Sequence, residues 1–268
     1  MKNHICQTCG TQHTASTEAP DHCTICDDER QYVGWEGQSW TDHKELKTQF
    51  KQRIEDDDGL LALGVSPFFA IDQRALLLET DAGNILWEAV SLVSDEAVEA
   101  IEERGGLDRI IISHPHFYSS MVEWSRAFGD VPILLHEADK QWVHRPDPVI
   151  EYWSGDDLKL SNDVSLMRAG GHFSGSTVLH WANGPTPGGA LFSGDALQVV
   201  LTRRHVSFMY SYPNLIPMRT SDVLDIRNRL SKFEYADVYG YTWGRNIIGH
   251  GRQAVENSFD RYLSAVNG

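Results

Sequence analysis

A chain of 268 residues with 41% hydrophobic content is long enough for one large α/β domain plus a small appendage, and it can bury a sizeable core. Its 38 acidic against 23 basic residues give a formal charge of −15, which opposes a nucleic-acid backbone, and no basic run along the chain offers a local patch against that field. No stretch approaches the roughly 18 apolar residues of a membrane span, and Met1-Lys2-Asn3-His4 opens without an apolar signal segment, so the expectation is a cytoplasmic protein with neither a membrane nor a nucleic-acid partner.

All four cysteines fall in the first 26 residues, as Cys6-Gln7-Thr8-Cys9 and Cys23-Thr24-Ile25-Cys26. Two C-x-x-C knuckles separated by a short loop put four thiolates at the corners of a tetrahedron, an arrangement that Zn²⁺ or a single iron accepts. Two disulfides are the alternative, but a chain without a secretory segment is expected in a reducing compartment, where disulfides rarely persist. A rubredoxin-type iron site usually carries a glycine after each knuckle. Here Gly10 follows the first and Asp27 the second, which favours structural zinc, with iron as the alternative metal. Residues 1–40 therefore read as a four-cysteine zinc-ribbon or rubredoxin-like module and residues 41–268 as the main domain.

Between Asp27 and Trp40 the chain is polar, punctuated by Gly34 and Gly37, and reads as a loop leaving the module. Thr41 is placed to cap a helix over residues 42–50, with Leu46 and Phe50 as its apolar stripe. Asp56-Asp57-Asp58-Gly59 reads as the solvated turn that ends it, since the further spaced oxygens of a calcium loop are missing. Strands are expected at residues 68–71, 74–80 and 84–88, the last two joined by Asp81-Ala82-Gly83. Ser94 then caps a helix that runs to Glu102 and stops at Gly105-Gly106.

Next comes Ile110-Ile111-Ile112-Ser113-His114-Pro115-His116, a buried strand that stops at two histidines one residue apart, at the end where open sheets place chemistry. Two neutral imidazoles begin a metal site and need further ligands. His172 in Gly170-Gly171-His172-Phe173-Ser174-Gly175-Ser176 and Asp195 in Ser193-Gly194-Asp195-Ala196 are the candidates. The plain alternatives are hydrogen-bonded core histidines and a helix-capping aspartate. His136 and His180 lie at or within apolar strand runs and receive no role. Arg203-Arg204-His205 and Phe208-Met209-Tyr210-Ser211-Tyr212-Pro213 read as a loop that either roofs a pocket or packs over an edge of the body. Strands at 131–135, 164–167, 176–181 and 190–193, with helices at 122–128, 138–143, 221–230 and 252–266, complete a layered α/β body without a short repeat.

The order of hairpin, helix, H-x-H at a strand end, G-G-H-x-x-G-S loop and S-G-D-A turn resembles the metallo-β-lactamase fold family of metallo-hydrolases over about the last four-fifths of the chain. That resemblance implies an α+β (αββα) sandwich of two sheets with outer helices and a metal centre at one edge, to which the four-cysteine ribbon is appended. It also implies His114, His116 and His172 as ligands of a first metal and Asp195 as the carboxylate reaching toward a second. The family's H-x-H-x-D-H reads here His114-Pro115-His116-Phe117-Tyr118-Ser119, and a phenol with pKa near about 10 and an alkyl hydroxyl are poor ligands. One zinc or iron ion is therefore expected at this centre. The family's last histidine matches Gly249-His250-Gly251 by motif. Ala236-Asp237-Val238-Tyr239-Gly240 also resembles the strand leading into that turn, which would put Tyr241 or Trp243 there instead.

The resemblance leads to the expectation of a mononuclear metal-dependent hydrolase acting on a small ester, thioester or lactone-type molecule, its metal lowering the pKa of water toward about 7. Tyr118 would donate a hydrogen bond to the developing oxyanion and His250 would deliver a proton. Two alternatives stand beside it: a non-catalytic metal-binding sensor or interaction protein, and an electron-transfer protein if the cysteines hold iron. Net charge and the lost second metal set the nuclease branch of the family aside. No feature of the sequence speaks to oligomeric state.

Overall fold

Strand alternation decides the layers of the body. Successive side chains of a strand face opposite sides, so in Ala75–Thr80 and Gly83–Trp87 Leu76, Leu78, Ile85 and Trp87 face one way and Ala75, Leu77 and Leu86 the other. The first set meets Leu166, Leu179, Phe192 and Tyr239 in an inner core. The second packs with Leu46, Ala97, Ile101, Val122 and Trp124 from helices outside.

The computed structural model describes residues 1–267. One sheet has seven strands in sequence order: Lys51–Asp57, Leu60–Ser66, Ala75–Thr80, Gly83–Trp87, Arg109–Ile111, Ile133–His136 and Ile150–Trp153. Its first four strands pair antiparallel and the rest join in parallel. The other sheet runs Asp157–Lys159, Val164–Arg168, Thr177–Trp181, Ala190–Phe192, Asp237–Tyr239 and Asn246–Ile247. Its one parallel pair, Ala190–Phe192 with Asp237–Tyr239, is spanned by a connection that contains the helix Thr220–Leu230. That helix and Gly251–Asn267 cover the outer face of this sheet through Val223, Ile226, Val255 and Phe259. The expected αββα order is the observed one. No helix among the described residues is long and apolar enough to cross a membrane.

Three local expectations are corrected. Residues 51–57 form a strand, Lys51–Asp57, on the sheet edge, so the aspartate run is not simply a solvated turn. Asp58 and Gly59 make the turn, and Asp57 is buried against Arg74. Residues 68–71 are apolar but form no strand: Pro67 lacks an N–H to donate, and Ala70 and Asp72 hold left-handed φ of 53° and 56°, which a ladder does not accommodate. Phe69 is held instead by Phe50, ring centroids 5.1 Å apart. The helix His43–Gln49 is capped by Asp42, whose side chain accepts from Glu45 N at 3.0 Å, rather than by Thr41.

At the amino end, Ile5–Cys6 pairs antiparallel with Trp40–Thr41, and a short helix, Thr24–Asp27, carries the second knuckle. The four cysteines and Ile25 form a small core of their own, which Val33, Trp40 and Trp142 pack against.

Candidate metal centres

The parallel strand Arg109–Ile111 delivers Ser113, His114 and His116 at its carboxyl end. The turn after Arg168 brings His172, and the turn after Phe192 brings Asp195. Four donor atoms from these three segments converge: His172 Nε2 lies 3.3 Å from His116 Nδ1, and Asp195 Oδ2 lies 3.4 Å from His114 Nε2, 3.7 Å from His172 Nε2 and 4.0 Å from His116 Nδ1. A tetrahedron of ligands about 2.0–2.1 Å from Zn²⁺ has edges of about 3.3–3.4 Å, so the donor set fits a cation with little adjustment. All four residues are buried, at 1%, 3%, 1% and 7% exposure for His114, His116, His172 and Asp195. His114 Nε2 and Asp195 Oδ1 have no hydrogen-bond partner, a costly condition for buried polar atoms unless something else binds them.

Charge agrees with geometry. Burial holds His116 and His172 below the usual histidine range, which favours neutral rings. Burial alone would raise the Asp195 carboxyl, but His114 and His116 hold it well below the carboxylate range. A carboxylate kept ionised beside the buried rings of His116 and His172, whose neutral forms burial favours, suits a divalent cation.

Outer partners fix the ligands. His172 Nδ1 donates to Tyr210 O at 2.8 Å, turning Nε2 inward. His114 Nδ1 meets Ser113 Oγ at 2.7 Å, and Ser113 N–H donates to Glu88 Oε2 at 3.0 Å. Burial pushes the Glu88 carboxyl up to about 8, and its φ of 70° places it among the strained residues that collect at functional sites. A Cβ on Gly194 (φ 49°) would stand 2.5 Å from Ser113 Oγ, so the glycine of the S-G-D-A turn lets Asp195 come in over that serine. Phe173 packs edge-on against His116 and His172 with centroids 5.0 and 5.1 Å away, and the Arg30 guanidinium covers it at 3.9 Å.

The structure does not bring Tyr118 and His250 into this cluster. Tyr118 is buried, and its hydroxyl points to Asp139 O at 3.4 Å. His250 is exposed, its Nδ1 meets Ile248 O at 3.0 Å, and it lines a surface cavity with Asp58, Arg203 and Asn246. The aromatic hydroxyls beside Asp195 are others. Tyr212 donates to Asp195 O at 3.0 Å, and Tyr241, which follows the strand Asp237–Tyr239, has its pKa raised by burial and by the Asp195 charge. The segment from Phe208 to Pro213 thus bonds to two of the four candidate ligand residues, through Tyr210 to His172 and through Tyr212 to Asp195. His136 and His180 are satisfied by Gly155 O and Glu234 O.

The second group of donors is Cys6, Cys9, Cys23 and Cys26. Cys6 Sγ lies 3.6 Å from Cys26 Sγ and Cys9 Sγ 3.7 Å from Cys23 Sγ. Those separations are far beyond the roughly 2.05 Å of a disulfide and close to the edge of about 3.8 Å expected around zinc at about 2.3 Å. Gln38 braces the site by donating to Cys6 Sγ at 3.2 Å and accepting from Cys23 N at 3.2 Å.

This module sits on the first centre. Gln73 Nε2 donates to Cys9 O at 2.6 Å and to His116 O at 2.9 Å, so one amide links a carbonyl of each donor set. Arg30 Nη1 donates to His172 O at 3.1 Å, and Asn214 Nδ2 donates to Glu29 O and Gln31 O. A Cβ on Gly10 would lie 2.4 Å from Ser91 Oγ, which measures how closely the two parts approach. Reasoning from sequence singled out neither Gln73, Arg30 nor Glu88. Each is a lone polar residue in an irregular segment, without a spacing or composition signal.

No protein-family model matches the sequence. A curated relative does: the uncharacterized protein YmaE of Bacillus subtilis (strain 168) is 39% identical over 270 residues, spanning 100% of this chain and 98% of that protein. Among solved structures, the DIM-1 metallo-β-lactamase superposes with a TM-score of 0.58 at 14% identity, over 81% of this chain and 100% of that one. TMB-1 gives 0.57 at 14% identity over 80% and 98%. These likenesses establish the fold.

Proposed function

Since the chain belongs to the family of YmaE and has the metallo-β-lactamase fold, we propose that it is a metal-dependent hydrolase of a small ester, thioester or lactone-type molecule, with one catalytic cation held by His114, His116, His172 and Asp195 and a structural zinc held by Cys6, Cys9, Cys23 and Cys26. The observation that carries this reading is the convergence of four buried donor atoms within 4.8 Å of one another, three residues of which keep an unpartnered polar atom. A zinc or iron ion bound there supplies Lewis acidity and lowers the pKa of water toward about 7.

The chain's own residues do the rest. Tyr210 O and Ser113 Oγ orient two imidazoles, while Phe173, covered by Arg30, packs edge-on against His172. Asp139 Oδ1 accepts from Gly175 N at 2.8 Å and so steadies the loop that carries His172. In this reading substrate approaches through a cavity of about 520 Å³ that borders His172 and Phe173 and is lined also by Arg30, Arg219, Glu29 and Asp222. That volume and mixed polarity suit a small polar molecule. Neither Tyr118 nor His250 enters this reading.

Elemental analysis and a substrate panel test it. Intact protein should hold two metals and hydrolyse at least one of a set of aryl esters, thioesters and lactones. The His114→Ala, His172→Ala protein should hold one metal and hydrolyse none. One metal in both proteins overturns the proposal.

A second reading is favoured by the closed shell. Four protein ligands completing a tetrahedron are typical of structural rather than catalytic zinc, and a metal-binding interaction protein would carry two metals yet leave the whole panel untouched. Colour in freshly purified protein would instead point to iron on the four sulfurs and to electron transfer.

A further inference from the structure

The chain's cations are mostly committed to carboxylates, as in Arg30–Asp28, Arg74–Asp57, Arg126–Asp147, Arg145–Glu123, Arg168–Asp156 and Arg227–Glu256. Of the arginines outside such pairs, four gather in one region. Arg203 and Arg204 sit at the tip of the hairpin joining Gln198–Val199 to Val206–Ser207, Arg245 precedes the strand Asn246–Ile247, and Arg261 projects from the helix Gly251–Asn267. None forms an ion pair among the described residues, yet they border two cavities that share Thr202 and Arg204. The larger, about 840 Å³, is lined by Arg204, Arg245, Arg261, His205 and Thr202 with no carboxylate. The smaller, about 400 Å³, has Arg203, Arg204 and Asn246, with Asp58 as its one acid. This corrects the expectation that the chain has no basic patch: folding gathers one from residues 58 positions apart in sequence.

A chain with 38 carboxylates could have neutralised these guanidinium groups and does not. Like charges that line one cavity repel one another, and an anion from outside relieves that repulsion. The cluster is also partly built in advance. Arg245 Nη1 donates to Val199 O at 3.2 Å, and Arg203 holds a left-handed φ of 53° closed by a 2.8 Å bond from its N–H to Val200 O, which fixes the hairpin tip that carries it. Leu201, 80% exposed at the same tip, offers an apolar surface beside the cations. Forked guanidinium donors match phosphate oxygens in pairs, and the larger cavity is within the range of small-molecule sites.

We propose that this cavity binds the phosphates of a phosphorylated small molecule of about nucleotide size, with Arg204, Arg245 and Arg261 on the phosphates and Leu201 against the organic part. The site is separate from the two metal centres and stands whether or not the histidine cluster is catalytic.

Calorimetric titration of the full-length protein with ADP, ATP and tripolyphosphate at physiological salt tests it, with citrate as a carboxylate control. Saturable binding of the phosphates should be weakened about tenfold or more by Arg204→Gln and by Arg261→Gln. It should survive in the His114→Ala, His172→Ala protein, which separates this site from capture of nucleotide by a bound metal. Both arginines are exposed, so the urea midpoint should not move. A preference for nucleotide over tripolyphosphate would assign Leu201 its role, and equal affinity would confine the site to phosphate alone without changing its location. No saturation by any phosphate below about 1 mM, or affinity unchanged in the arginine variants, overturns the proposal. So does tighter binding of citrate, or binding of duplex DNA that the small phosphates do not displace.

Discussion

Gln73 is 4% exposed and has no motif around it, yet its amide nitrogen serves both Cys9 O and His116 O. Replacing it by leucine leaves the carbonyls of two candidate ligand residues without that donor, at a cost of about 1–3 kcal/mol. The Gln73→Leu protein should therefore lose metal to a chelator faster than the parent from both centres, followed by absorbance of a metal-sensitive dye. Loss at unchanged rates would mean the link carries no coupling. No sequence signal marks such a residue, because a single glutamine between two strands satisfies no period and no spacing rule. The candidate ligands were legible for the opposite reason. His114, His116, His172 and Asp195 sit in short glycine- and serine-flanked turns whose backbone needs restrict the residues around them, and those restrictions can be read along the chain.

Among the elements, the hairpin of Lys51–Asp57 with Leu60–Ser66 is tied to the opposite sheet by Arg74, which is fully buried and donates to Asp57, to Gly240 O and to Asn246 Oδ1. Removing one member of a buried pair strands the other charge, so Asp57→Ala should destabilise the protein by about 3–5 kcal/mol in urea unfolding. Arg74→Met with Asp57→Leu should recover much of that loss. Lys51–Asp57 was hidden in the sequence because five of its seven residues are charged, and an edge strand with one solvated face shows little apolar alternation. The inner strands were plain, since Ala75–Thr80 and Thr177–Trp181 are buried almost throughout. Apolar content alone misled at residues 68–71, where the flanking backbone forbids pairing. Helix ends depended on single side-chain bonds, so Thr41 and Asp42 could not be told apart without coordinates.

For the molecule as a whole, several histidines are folded in as neutral rings. Burial lowers the pKa of His43, His136 and His180 below the ordinary histidine value of 6.5. Unfolded, these rings take up protons as pH falls below about 6.5, and folded they do so only at lower pH, so the stability they contribute is complete above that value and is lost on acidification toward the folded pKa. Unfolding free energy should fall between about pH 6.5 and 5, with a limiting slope of about 1.4 kcal/mol per pH unit for each such histidine. His180→Gln should make the slope shallower while keeping a side chain able to donate to Glu234 O. An identical slope in the variant would exclude His180 as a contributor. The two donor clusters lay within reach of sequence reasoning, whereas their contact did not, because it depends on how a module at one end of the chain docks on turns more than sixty residues away.

That docking bears on how the protein is made. Arg30 lies over Phe173, Gln73 spans two backbones, and Tyr210 of the Phe208 to Pro213 segment bonds to His172, so the inward-facing donor atoms are walled off on the ribbon's side, in residues only 1–7% exposed. Capture of an ion is then easiest while the newly synthesised polypeptide is still closing, and the ribbon's arrival locks it in. Any cation held there would then exchange on the timescale of partial unfolding rather than of diffusion.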